Sequence, residues 1–178
     1  MEFDTDIVIS GAGPAGLSAA CALGAEGVRV TLLDPAPPVT GEDVPGADLR
    51  TTALLQPARD LLDRAGIWPG LAPHGTELRV MRIVDAAVEP PVSRDFEAAD
   101  VGHAQFGWNF PNWLLRREML ARADALEGVD LRLGTGFAAL FARDAGIRVT
   151  LDDGAKLSAR LLLGCDGRDS PVRAAAGI

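Results

Sequence analysis

The hexapeptide Gly11-Ala12-Gly13-Pro14-Ala15-Gly16 directly follows the apolar run Ile7-Val8-Ile9 and opens a helix-like stretch, Ala15 to Ala25. A second apolar run, Val28 to Leu33, closes on the acid Asp34. Strand, glycine turn, helix, strand and acid in that order form a βαβ dinucleotide fingerprint. Gly11 allows the tight turn, Gly13 lets backbone approach a pyrophosphate, and Gly16 brings helix and sheet close together. Free N–H groups and the positive end of the helix dipole favour phosphate there. Pro14 suits the first helical turn, where an amide donor would lack an internal partner. Asp34 stands 18 residues past Gly16 (34 − 16), near the spacing of about 20 for an acid that binds ribose hydroxyls. Pro35 follows it, and no basic residue intervenes before Arg50. A 2′-phosphate would meet an unpaired carboxylate, so the expected ligand carries a 2′-hydroxyl adenosine pyrophosphate.

Bulk properties narrow the partners. The chain has 178 residues and 48% hydrophobic content, enough for a domain with a real core. Its net charge is −8, and Lys156 is the only lysine. Nucleic acid is an improbable partner, because a phosphate-tracking face needs clustered positive charge. Cys21 and Cys165 read as small buried thiols in a reduced compartment. With His74 and His103 far apart, no metal pattern can be assembled. Met1-Glu2-Phe3-Asp4 is acidic and runs into a strand, which does not suit a signal peptide. No apolar run reaches the roughly 18 residues of a membrane span. The expected location is the cytoplasm; a membrane-peripheral site stays open, although no amphipathic segment supports it.

Along the chain, Asp4–Ser10 reads as a strand, Pro14–Glu26 as a helix stopped by Gly27, and Val28–Leu33 as a strand. Pro35 to Asp48, with four prolines and two glycines, is a loop. Thr51–Ala65 carries Leu54, Leu55, Ala58, Leu61, Leu62 and Ala65 at helical spacing, capped by Thr51 or Thr52 and ended by Gly66. An irregular stretch starts at Gly66-Ile67-Trp68. Leu78–Asp85, Val92–Phe96 and His103–Asn109 are strand candidates. Trp113–Leu126 is a helix and Val129–Leu133 a strand. Phe137–Ala142 and Gly146–Leu151 form an antiparallel pair, followed by an Asp152-Asp153-Gly154 turn. Lys156–Gly164 reads as one strand ending in the buried run Leu161-Leu162-Leu163. Phe106, Trp108 and Trp113 are assigned to core packing. This order departs from regular βα alternation, and the antiparallel insertion points to a flavoprotein-type variant of the fold.

A second motif follows that strand: Gly164-Cys165-Asp166-Gly167-Arg168-Asp169-Ser170-Pro171-Val172-Arg173. Ligands of open α/β sheets sit at strand ends. Asp166 can accept hydrogen bonds there, Gly167 permits close approach, and Ser170 can cap the next helix. Arg173 can pair with Asp166 or with a phosphate. Together with the first motif this resembles the FAD-dependent aromatic hydroxylases, typified by para-hydroxybenzoate hydroxylase and the ubiquinone-biosynthesis hydroxylases. That family carries GxGxxG, then D-x-R-x-x-A-L, matched by Asp48-Leu49-Arg50-Thr51-Thr52-Ala53-Leu54. It carries G-I/V-W, matched by Gly66-Ile67-Trp68, and R-x-x-L, matched by Arg117-Glu118-Met119-Leu120. Its D-G-x-x-S-x-x-R motif is matched by Asp166 to Arg173. The middle pieces are closer to the ubiquinone-type branch.

The resemblance implies an α/β chain: a Rossmann-type FAD-binding domain with a parallel sheet, a β-meander and part of an inserted β-rich substrate region. It implies FAD as cofactor and NADH or NADPH as co-substrate, acting with O2 on an aromatic or quinone-precursor ring. Gly11, Gly13, Pro14, Ala15 and Gly16 would hold the pyrophosphate and Asp34 the adenosine ribose. Arg50 and Asn112 would lie near the flavin, and Arg117 or its neighbour Arg116 near the pyrophosphate. Asp166 and Gly167 would contact FAD and NAD(P)H. No acid/base dyad is expected, since the cofactor carries the chemistry. Residues 1–70 and 110–178 would form the FAD-binding domain, and 71–109 the start of the substrate region. Family members run about twice this length, and their G-D-A-A-H motif has no match here, so the chain is expected to be the N-terminal part of such an enzyme. The same motifs occur in flavin reductases of isoprenoid double bonds and in flavin halogenases. A non-catalytic nucleotide-binding fragment is a further alternative.

Overall fold

In the computed structural model, which describes residues 3–178, the fingerprint's two apolar runs become adjacent parallel strands, β1 (Ile7–Ser10) and β2 (Val30–Asp34). The helix between them is α1 (Pro14–Ala25). Both strands are shorter than the expected Asp4–Ser10 and Val28–Leu33, and Met1 and Glu2 of the acidic start lie outside the described residues.

The rest of the chain builds outward in order. It continues with β3 (Thr51–Leu55), α2 (Gln56–Arg64), α3 (Trp68–Leu71), β4 (Thr76–Leu78), β5 (Val80–Asp85) and β6 (Val92–Glu97). Then come β7 (Gly107–Pro111), α4 (Asn112–Asp124), β8 (Val129–Leu133), β9 (Phe137–Arg143) and β10 (Gly146–Leu151). The last elements are β11 (Lys156–Ala159), β12 (Leu161–Gly164) and α5 (Pro171–Ala175). A four-stranded parallel sheet has the order β12-β1-β2-β8, and an antiparallel meander the order β11-β10-β9. A small antiparallel sheet has the order β3-β7-β4, and β5 and β6 form a separate ribbon.

Alternation along the parallel strands sends side chains to two cores. Ile9, Val30 and Leu32 face α1, α2 and α4, where Leu17, Cys21, Leu62, Leu115 and Met119 are buried with them. Val8 and Leu33 face the meander and its Val149, Leu151, Leu157 and Ala159. The result is three layers, helices over parallel sheet over meander. A strand buried on both faces is mostly apolar, and in β1 and β2 only Ser10, Thr31 and the terminal Asp34 are polar, which is why the two read so clearly. Trp68 packs edge-on against Trp108 and Phe110, with ring centroids 4.8 and 5.9 Å away.

Several sequence expectations are corrected. Thr51–Ala65 is not one helix. Thr51–Leu55 pairs antiparallel with β7, and the helix begins only at Gln56, with Pro57 in its first turn. Thr51 and Thr52 therefore lie in a strand and cap nothing. The β-branched pair suits a pleated strand, and the long-range pairing overrides the helical spacing of the leucines. Leu78–Asp85 divides at Arg79 between β4 and β5, which lie in different sheets. His103–Asn109 yields only β7, shifted to Gly107–Pro111. Lys156–Gly164 divides at Arg160: β11 closes the meander and β12 joins β1. Leu161 is 47% exposed, because β12 pairs with β1 alone and forms the sheet's outer strand among the described residues. The stretch after Gly66 is helical, with α3 leading into a 3₁₀ turn at Ala72–His74.

Candidate functional site

The carboxyl ends of β1, β2 and β12 open into one crevice of about 520 Å³, a size that suits a small ligand. Its floor is the glycine turn. Gly11 has φ +109°, its N–H donates to the Leu33 carbonyl at 2.7 Å, and an added Cβ would stand 2.4 Å from the Cys165 carbonyl oxygen. A Cβ on Gly16 would stand 1.8 Å from the Gly11 carbonyl oxygen. Gly13 differs. Its backbone is ordinary extended chain (φ −74°, ψ 177°), and a Cβ there would meet nothing within 4 Å. Two glycines are thus demanded by the protein's own packing, and the third borders empty space at the start of α1. Among the described residues no side chain caps α1, and its N-cap Gly13 lines the crevice.

Asp34, at the tip of β2, lines the crevice. Its Oδ2 accepts from the Ala12 N–H at 2.7 Å and its Oδ1 from the Ala36 N–H at 2.9 Å. The carboxylate thereby ties the glycine turn to the proline-rich loop. Pro35, Pro37, Pro38 and Val39 make an apolar wall, with Gly136 and Phe137 adjoining it from the start of the meander. On the far side stand Cys165, Asp166 and Gly167. The Asp166 Oδ2 accepts from the Val172 N–H at 3.1 Å, while its Oδ1 is buried with no hydrogen-bond partner among the described residues. Burial, with the neighbouring Asp166 charge, pushes the Cys165 thiol above its ordinary pKa. Burial also pushes Cys21 up to about 11, so both thiols stay protonated at neutral pH.

The helix arginines separate by phase, since neighbours on a helix point about 100° apart. Arg116 lines the crevice; Arg117 lies outside it, its guanidinium 5.4 Å over the Trp113 ring and 2.8 Å from Glu118. Arg50 and Asn112 do not line the crevice. Arg50 is 83% exposed and paired at 2.8 Å with Asp48, and Asn112 is buried. Asn112 is joined to Arg116 through Asp48, which accepts from both. Pro14 and Ala15 border a different hollow of about 210 Å³, between α1, β3, α2 and α4. Gly11, Gly13, Asp34, Arg116, Asp166 and Gly167 therefore line one crevice, while Pro14, Ala15, Gly16, Arg50, Asn112 and Arg117 do not. Sequence reasoning missed the Ala36–Val39 wall, Phe137 and the linking acid Asp48. The apolar run after Asp34 was the visible signal for the wall.

Arg173 does not pair with Asp166. Its guanidinium donates to the Arg168 carbonyl at 2.6 Å, which draws it away from the carboxylate. Ser170 caps α5 as expected, its Oγ accepting from the Arg173 N–H at 2.9 Å. Ser170→Ala is expected to cost about 1 kcal/mol of unfolding free energy, measured by urea denaturation.

An adenosine diphosphate group fits these features: a bare helix start, space at Gly13, one cation, an acid at the strand tip and an orphaned carboxylate oxygen. Comparison with known proteins agrees. Residues 4–178 match the model of a family described as an FAD binding domain. The chain is 34% identical to the ubiquinone hydroxylase UbiL of Rhodospirillum rubrum, over 97% of this chain and 39% of that protein. It is similar to the solved anhydrotetracycline hydroxylase OxyS of Streptomyces rimosus (29% identity, TM-score 0.72, 98% of this chain and 34% of that one). It is also similar to the Diels-Alderase PyrE3 of pyrroindomycin biosynthesis (29% identity, TM-score 0.75, 98% of this chain and 35% of that one). The chain thus spans less than two fifths of the length of each of these three proteins.

Proposed function

As this chain belongs to the FAD binding domain family, we propose that it is the FAD-binding portion of a flavin-dependent monooxygenase that hydroxylates an aromatic or quinone-precursor ring with NAD(P)H and O2. The observation that carries the reading is the open Cβ position of Gly13, set in one crevice with Asp34 and Arg116. When bound, FAD supplies hydride acceptance and oxygen activation. The residues of this chain bind and orient it. The start of α1 and Arg116 face the diphosphate, Asp34 accepts from the adenosine ribose hydroxyls, and the Pro37–Val39 wall with Phe137 shelters the adenine. Asp166 and Gly167 lie further along the cofactor. Arg50 and Asn112, outside the crevice, are assigned to the flavin end by resemblance alone.

Residues 1–70 and 110–178 would form the FAD-binding domain and 71–109 the start of a substrate-facing β region. The exposed Val80, Met81, Ile83 and Val84 of β5 accord with a ribbon that serves a further surface. No helix among the described residues is long and apolar enough to cross a membrane. The unpaired Cys21 and Cys165 support a reducing, cytoplasmic setting, with membrane periphery reserved for a lipid-like substrate.

The similarity to a Diels-Alderase favours a second reading, in which the bound flavin transfers no oxygen. One experiment separates the two. The protein carrying this chain is purified, its flavin spectrum recorded, and NAD(P)H oxidation followed with phenolic substrates in labelled O2. Flavin uptake with label in the product supports the monooxygenase. Flavin uptake with no label supports the second reading, and a colourless protein that takes up no FAD overturns both.

A further inference from the structure

Asp48 ends the proline-rich loop, and its side chain is only 11% exposed. It receives donors from three places. Arg50 donates through Nε and a terminal nitrogen at 2.8 Å each, Asn112 through Nδ2 at 3.0 Å, and Arg116 through a terminal nitrogen at 3.4 Å. The Asn112 amide is held in that sense because its Oδ1 accepts from the Thr52 hydroxyl at 2.6 Å. The Asn112 N–H donates in turn to the Arg50 carbonyl at 2.9 Å. Loop end, β3 and the start of α4 are thereby joined at one carboxylate. The Arg50 and Asn112 hydrogen bonds hold that carboxyl well below the usual carboxylate range, so it stays charged at neutral pH. Arg50 is too exposed for its pair to add much stability. The consequential partners are the buried Asn112 and the crevice-lining Arg116, four residues apart on one face of α4.

Resting on the FAD reading above, we propose that Asp48 is a positioning residue that holds Arg116 at the crevice in the orientation that meets the diphosphate. A free arginine side chain must be ordered when an anion binds. One already tethered loses less freedom, which raises affinity through preorganisation. The proposal makes a prediction opposite in sign to plain electrostatics. Removing a carboxylate near an anion site would strengthen anion binding by Coulomb's law; removing a positioning carboxylate weakens it.

The test is FAD titration, followed by tryptophan fluorescence, of the chain and its D48N, D48E, R116Q and D48N/R116Q variants, each checked by circular dichroism. D48N is expected to weaken FAD about tenfold, D48E about threefold, and the double variant no more than about twofold beyond R116Q alone, the signature of two residues acting as one unit. D48E carries the same comparison if D48N does not fold, and its partial retention separates carboxylate placement from general damage. Equal or tighter binding by the Asp48 variants overturns the proposal, and so do losses that multiply fully in the double variant. Either result leaves the FAD reading standing if wild type binds. Failure of the wild-type chain to bind FAD overturns that reading and the proposal with it.

Discussion

Gly13→Ala is expected to leave the fold intact and weaken FAD binding about 100-fold, while Gly16→Ala is expected to unfold the chain or cost it more than about 3 kcal/mol. The two substitutions are chemically identical and three residues apart. Their difference lies in what the new methyl meets. At Gly16 it meets the Gly11 carbonyl oxygen at 1.8 Å, and that oxygen belongs to the backbone and cannot swing aside as a side chain could. Relief requires α1 to move off β1, and Leu17, Ala20 and Cys21 leave the core with it. At Gly13 the methyl meets nothing within 4 Å, and the backbone there is one that alanine adopts readily. The only cost is to whatever should occupy that space. A diphosphate laid against the helix start would be displaced by about the width of a methyl, and misplacement on that scale costs about 100-fold. Thermal unfolding and FAD titration of both variants check this. If Gly13→Ala binds FAD like wild type, the diphosphate does not lie over the turn.

That contrast shows what a sequence displays and what it conceals. The βαβ unit was legible because β1 and β2 are buried on both faces and so are mostly apolar, and because the glycine spacing answers constraints within a few residues. Thr51–Leu55 was misread as helix for the opposite reason. Its state is set by β7, more than fifty residues away in the chain, and no local pattern records that pairing. Lys156–Gly164 looked continuous, yet its two halves serve different layers, and only the exposed Arg160 marks the change. The site behaves likewise. Gly13 and Asp34 announce themselves within one supersecondary unit. The choice between Arg116 and Arg117 depends on helical phase, which required the placement of α4. Asp48 joins Asn112 and Arg116 across 64 and 68 residues, so its role emerges only once the loop and α4 are brought together.

Asp34→Asn is expected to lower stability without ligand by about 1–3 kcal/mol and to weaken FAD by roughly 30- to 100-fold. The first effect follows from counting acceptors. The carboxylate takes one backbone N–H on each oxygen, Ala12 at 2.7 Å and Ala36 at 2.9 Å. An asparagine has a single carbonyl oxygen, so one of those N–H groups would face the amide NH2, donor against donor. The second effect follows from the lone pairs that remain. A carboxylate holding two N–H groups still has capacity for the two ribose hydroxyls, and charged acceptors make the stronger bonds. Asparagine loses both the charge and half of that capacity. Flavin mononucleotide separates the two effects, because it lacks the adenosine ribose. Its binding should fall only as far as the turn itself loosens, well short of the loss for FAD. The discrimination between adenosine ligands should change in the other direction. Wild type is expected to reject 2′,5′-ADP relative to 5′-AMP, since the extra 2′-phosphate would meet the Asp34 charge. The asparagine variant should lose most of that preference. Isothermal titration of wild type and variant with FAD, flavin mononucleotide, 5′-AMP and 2′,5′-ADP measures all of this in one series. An unchanged preference between 5′-AMP and 2′,5′-ADP would place the ribose elsewhere than at the tip of β2, even if FAD still bound.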